Sequence, residues 1–191
     1  MKGHNSGIPA GLALSCLFAA LCCAGAYISI PIPVGPVPLS LSNFFAVLGG
    51  LVLGPLYGAL SIVLYLALGA LGFPVFSGGS GGLAHFIGPT GGYLLGYAIA
   101  SFLAGAVARR RGPIESILGS ILGFASILAI GAVFLKFMAK IPWDRAMIVG
   151  ILPFIVGDSI KTALAAIIAL RLGPFVDSLT GRRDRRAHGP A

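Results

Sequence analysis

The sequence predicts an all-α integral membrane protein, a six-helix bundle with a glycine-rich re-entrant or capping loop between its third and fourth helices. Three observations predict it. Hydrophobic residues make up 57% of the 191 positions and charged residues 9%, too little charge to cover a soluble domain of this size. Long apolar runs alternate with clusters of proline and glycine. The basic residues gather beside those runs instead of spreading through them. Residues 1–175 are read as the bundle and 176–191 as a basic cytoplasmic tail.

Taken in order, the first span covers 8–30 and is ended by Pro31, Pro33, Pro36 and Pro38, which impose an extended segment. The motif Ala24-Gly25-Ala26 gives this span a rival reading as a signal peptide. Its apolar run is longer than a signal core and only Lys2 precedes it, which favours a retained helix. The second span, 39–53, is short for a crossing and stops at Gly54-Pro55; the third covers 56–71. The stretch 73–88 is too rich in glycine for a helix. The remaining spans are 91–108, 113–138 and 144–172, the last with Pro153 freeing the carbonyl of Val149 and kinking the helix.

Six spans place both termini on one side, together with Arg109, Arg110, Arg111, Arg171 and the tail arginines Arg182, Arg183, Arg185 and Arg186. With Lys2 that side holds nine basic residues, against Lys136, Lys140 and Arg145 on the other. The positive-inside rule then predicts a cell-membrane protein with cytoplasmic termini and outward-facing 31–38 and 73–88. Trp143 fits an outer interface anchor, and Lys136 snorkels there. The net charge of +8 is read as topogenic charge and attraction to the lipid bilayer, with no nucleic-acid partner.

Several chemistries are excluded. Cys16, Cys22 and Cys23 lack a CxxC spacing and a histidine partner, so no metal site and no cofactor are expected. Lys161-Thr162 is preceded by Ile160 where a phosphate loop needs glycine. The acidic residues are too few for paired carboxylate catalysis, and no catalytic residue is assigned.

Two constellations point to a ligand. Asp158 and Lys161 lie three apart in the apolar stretch 146–170, on one helical face. Charge at membrane depth is costly unless paired or turned to a polar cavity, so the pair marks a candidate site for a group offering both N–H and C=O. A packing salt bridge is the alternative reading, but buried pairs contribute little net stability. The second constellation is 73–92. Its glycines let backbone approach a ligand, and Thr90-Gly91-Gly92 opens a helix whose amino end favours a carboxylate. Phe76, Tyr93 and Tyr97 read as cavity walls, and His85 as a packing or interface residue beside them. In the first span Ala20 and Ala24, and likewise Ala19 and Cys23, stand four apart, a spacing that lets another helix approach closely.

Val37-Pro38-Leu39-Ser40-Leu41, Phe73-Pro74-Val75-Phe76-Ser77-Gly78-Gly79-Ser80-Gly81-Gly82, Gly88-Pro89-Thr90-Gly91-Gly92-Tyr93 and Gly157-Asp158-Ser159-Ile160-Lys161 together resemble the BioY family. These are the biotin-specific substrate-binding (S) components of energy-coupling-factor (ECF) transporters. The resemblance covers nearly the whole chain. It implies a six-helix substrate-binding domain without enzymatic activity, and an outward biotin pocket roofed by the loops after spans one and three. Asp158 and Lys161 would meet the ureido ring, with Gly79, Ser80, Thr90, Tyr93, Phe76 and His85 around the rest of the ligand. Ala20 and Ala24 would contact a membrane coupling (T) subunit driven by two ATPase subunits. Leu94 stands where some relatives carry a basic residue, which leaves the valerate carboxylate to backbone amides and the hydroxyls of Ser80 and Thr90. The rival readings are an S component for another vitamin, a small intramembrane enzyme using Asp158 and His85, and a purely structural subunit.

Overall fold

The structure, a computed structural model, describes residues 7–33, 35–110 and 112–180. Its elements are α1 (Gly7–Tyr27), β1 (Ser29–Ile30), β2 (Leu39–Ser40), α2 (Ser42–Leu53), α3 (Pro55–Ala70), α4 (Ala84–Ile87), α5 (Gly91–Val107), α6 (Pro113–Ala139), α7 (Trp143–Gly150) and α8 (Leu152–Leu179). A single 3₁₀ turn, Ala108–Arg110, follows α5. Helix therefore dominates, as expected. By length and composition α1, α5, α6 and α8 can cross a membrane, whereas α2 and α3 are shorter. Arg111 and the tail from 181 lie outside the described residues.

The core is built on α2, every residue of which except Phe45 is buried. It packs against α1, α3, α5, α6 and α8. A helix surrounded by helices has no lipid face to match to the bilayer, which accounts for its shortness. Gly54, at φ 80°, joins it to α3 in a backbone conformation only glycine takes easily. Gly50 and Gly105 press on that elbow and on the Ser101 carbonyl with no room for a Cβ.

Several boundaries depart from expectation, each for a local reason. The first helix stops at Tyr27, since Pro31 disfavours helix in the residues before it, and β1 pairs with β2 in register Ser29↔Ser40 and Ile30↔Leu39. The second helix starts at Ser42, where Ser40 Oγ accepts the free Ser42 N–H at 3.1 Å. The glycine segment does contain a helix, the one-turn α4, because the glycines pause between Gly82 and Gly88. The last span is broken instead of kinked: α7 ends at Gly150, and Pro153 falls in the first turn of α8, where no N–H is needed. That last helix also continues to Leu179 through Pro174, past the division expected at 175/176.

Candidate functional site

Two loops and one helix start enclose a cavity of about 370 Å³, within the roughly 300–1,000 Å³ typical of small-molecule sites. The proline segment, folded back by the β1–β2 pair, supplies Ile32, Val37 and Pro38 among others. The glycine segment supplies Phe76, Ser77, Ser80 and His85, and the α5 end supplies Thr90, Tyr93, Leu94 and Tyr97.

The glycine segment has a defined geometry. Gly78 and Gly79, at φ 76° and 70°, reverse the chain so that Phe76 N–H donates to the Ser80 carbonyl at 2.8 Å and Ser80 N–H to the Phe76 carbonyl at 3.3 Å. Phe76 is buried edge-on against Tyr65, His85 and Phe86 at 5.5–5.8 Å between ring centroids. Its ring lies directly over Gly69 of α3, where a Cβ would overlap it. Tyr27 Oη donates to the Pro74 carbonyl at 2.6 Å, tying the end of α1 to the same loop. On the other wall Tyr93 Oη donates to the Gly150 carbonyl at 2.8 Å, so the α7–α8 break is latched to α5.

Behind the proline segment lies a buried polar cluster. Lys161 Nζ donates to the Ser40 carbonyl (2.9 Å), Asn43 Oδ1 (2.8 Å) and Asp158 Oδ1 (3.2 Å), and Asn43 Nδ2 donates to Asp158 Oδ1 at 3.1 Å. Asp158 Oδ2 is buried and has no hydrogen-bond partner among the described residues. These bonds join α8 to β2 and α2. Leu39 follows the lining Pro38 in sequence and lies against Gly157, next to Asp158 in α8.

Of the residues expected from sequence, Phe76, Ser80, His85, Thr90 and Tyr93 line the cavity. Gly79 shapes the turn without lining it, and Asp158 and Lys161 stand together behind the wall. Ser80 Oγ donates to the Ser77 carbonyl at 2.9 Å and Thr90 Oγ1 to the His85 carbonyl at 3.5 Å, leaving both hydroxyl oxygens able to accept. Asn43 and Ser77 were missed. Asn43 had a signal, as an amide in an otherwise apolar helix; Ser77 had none beyond its neighbours. On α1, Ala20 and Ala24 are exposed while Ala19 is buried.

Fold and site define a multi-pass membrane protein with a loop-covered small-molecule cavity. The BioY family profile matches residues 4–178, and the chain belongs to that family. The probable biotin transporter BioY of Pyrococcus horikoshii is 50% identical over 161 residues, covering 84% of this chain and 94% of that protein. The biotin transporter BioY of Thermotoga maritima is 43% identical, covering 82% and 91%. A crystal structure of the S-component for biotin from an ECF-type ABC transporter superposes with a TM-score of 0.82 at 32% identity, covering 90% of this chain and 94% of that one.

Proposed function

We propose that this chain is the biotin-binding S component of an ECF-type transporter. It captures biotin outside the cell and delivers it inward without itself being an enzyme. The observation that carries this reading is the aromatic-walled cavity formed by the family's own loop motifs. In this reading 31–38 and 73–88 cap the ligand, and Phe76, Tyr93 and Tyr97 cover the apolar face of its bicyclic ring. The Asp158–Lys161 centre reads the ureido group, with Asp158 Oδ2 as acceptor for an N–H. The valerate carboxylate meets the Ser80 and Thr90 hydroxyls, loop amides and His85 at the mouth.

The topology follows from six crossings, α2 and α3 included, with both termini in the cytoplasm. Arg109 and Arg110 close α5 at the end away from Thr90, which supports an outward cavity. Ala20 and Ala24, small and exposed on α1, are the contact for the membrane coupling subunit, which two ATPases drive.

The test is calorimetry on purified protein with biotin, thiamine and riboflavin, alongside thermal shift. Biotin alone should bind and stabilise. Equal stabilisation by another vitamin, or none by biotin, overturns the assignment.

A further inference from the structure

The two oxygens of Asp158 have unlike surroundings, and Asn43 makes the difference. Its amide faces both ions, Nδ2 donating to Asp158 Oδ1 and Oδ1 accepting from Lys161 Nζ. With Ser40 and Asp158 as its other acceptors, all three ammonium protons of Lys161 are engaged. Asp158 Oδ1 thus receives two donors, and Oδ2, equally buried, receives none. Native interiors rarely leave a buried carboxylate oxygen bare, so the asymmetry calls for an occupant.

Resting on the biotin reading above, we infer that Asn43 is a positioning residue that fixes the rotation of the Asp158 carboxylate. Oδ2 is then the acceptor offered to a ligand N–H, while Lys161 and Asn43 hold Oδ1. Asn43 is itself 5% exposed and acts through Asp158. The cluster therefore selects for an N–H donor at the ring end. The cavity lining contains no lysine or arginine among the described residues, so the carboxylate end is recognised at the loops by neutral groups and His85.

The test is a double-mutant cycle on the purified full chain, with biotin and a biotin analogue methylated on both ureido nitrogens as ligands. Asn43→Leu removes both amide contacts and keeps the branched shape. It should weaken biotin at least about tenfold, the scale of a hydrogen bond to a charged group, and weaken the methylated analogue far less. In an Asp158→Asn background the same change should add little. Asn43→Ala removes both contacts without adding bulk or charge; it should show the same loss of discrimination and serves if Asn43→Leu does not fold. A proportional loss for both ligands, or full additivity with Asp158→Asn, overturns the inference while leaving biotin binding intact. Failure of the unaltered chain to bind biotin overturns the functional reading and this inference together. Where the analogue binds too weakly to measure, the cycle decides.

Discussion

Gly69→Ala should destabilise this protein although helix propensity says the opposite. Alanine in place of a helical glycine ordinarily gains about 0.5–1 kcal/mol. Here a Cβ at position 69 would fall inside the ring of Phe76, which is 2% exposed and wedged among Tyr65, His85 and Phe86. Neither partner can yield easily: the helix backbone of α3 is fixed, and the ring has neighbours on three sides. Overpacking of this kind costs about 1–3 kcal/mol, and with the ring hemmed in on three sides the upper part of that range applies, which leaves a net loss of about 1–2.5 kcal/mol. The ring can escape only by moving the turn that carries Ser77 and Ser80, so biotin affinity should fall with stability, by about five- to thirtyfold. Thermal unfolding and calorimetry on purified protein measure both. Phe76→Leu, which trims the clashing ring, should make the alanine harmless: the double variant should match Phe76→Leu alone. A Gly69→Ala protein with an unchanged or raised Tm and parental affinity would refute the reasoning.

Asp158→Asn should weaken biotin by roughly ten- to hundredfold, whereas Arg183→Ala in the tail should leave it unchanged; equal affinities by calorimetry would remove Asp158 from the site. Tyr93→Phe keeps the cavity wall but orphans the buried Gly150 carbonyl, so thermal denaturation should show a loss of about 1 kcal/mol or more with affinity largely kept. Ala20→Leu or Ala24→Leu should abolish biotin uptake by cells carrying the coupling module while purified protein still binds. Loss of binding itself would mean that these alanines pack internally.

Apolar run length and proline–glycine punctuation made the long helical segments legible, since both signals are local. What sequence could not supply was depth. Asp158 and Lys161 were correctly paired on one helical face, but which neighbours they would meet depended on Ser40 and Asn43, more than a hundred residues earlier. Periodicity carries no information about such a contact. Pro153 illustrates a second limit: a proline says that a helix is interrupted but not whether it kinks or breaks, and the break here exposes the Gly150 carbonyl that the Tyr93 hydroxyl meets from another helix. The glycine segment was readable as non-helical backbone because φ > 0 needs glycine, while the seating of Phe76 over Gly69 arose only from the packing of α3.

The shortness of α3 has a bearing on the surrounding lipid. Sixteen residues rise only about 24 Å, against roughly 30 Å of hydrocarbon, and Leu56, Val63 and Leu71 of this region look outward. With α3 crossing as the proposed topology has it, acyl chains pinch inward along this flank, or headgroups and water dip toward it. Lengthening the acyl chains raises that elastic cost by a fraction of a kcal/mol for each ångström of misfit. Membrane thickness thereby becomes a setting that acts on one side of the molecule, the side whose helix underlies the cap of the cavity.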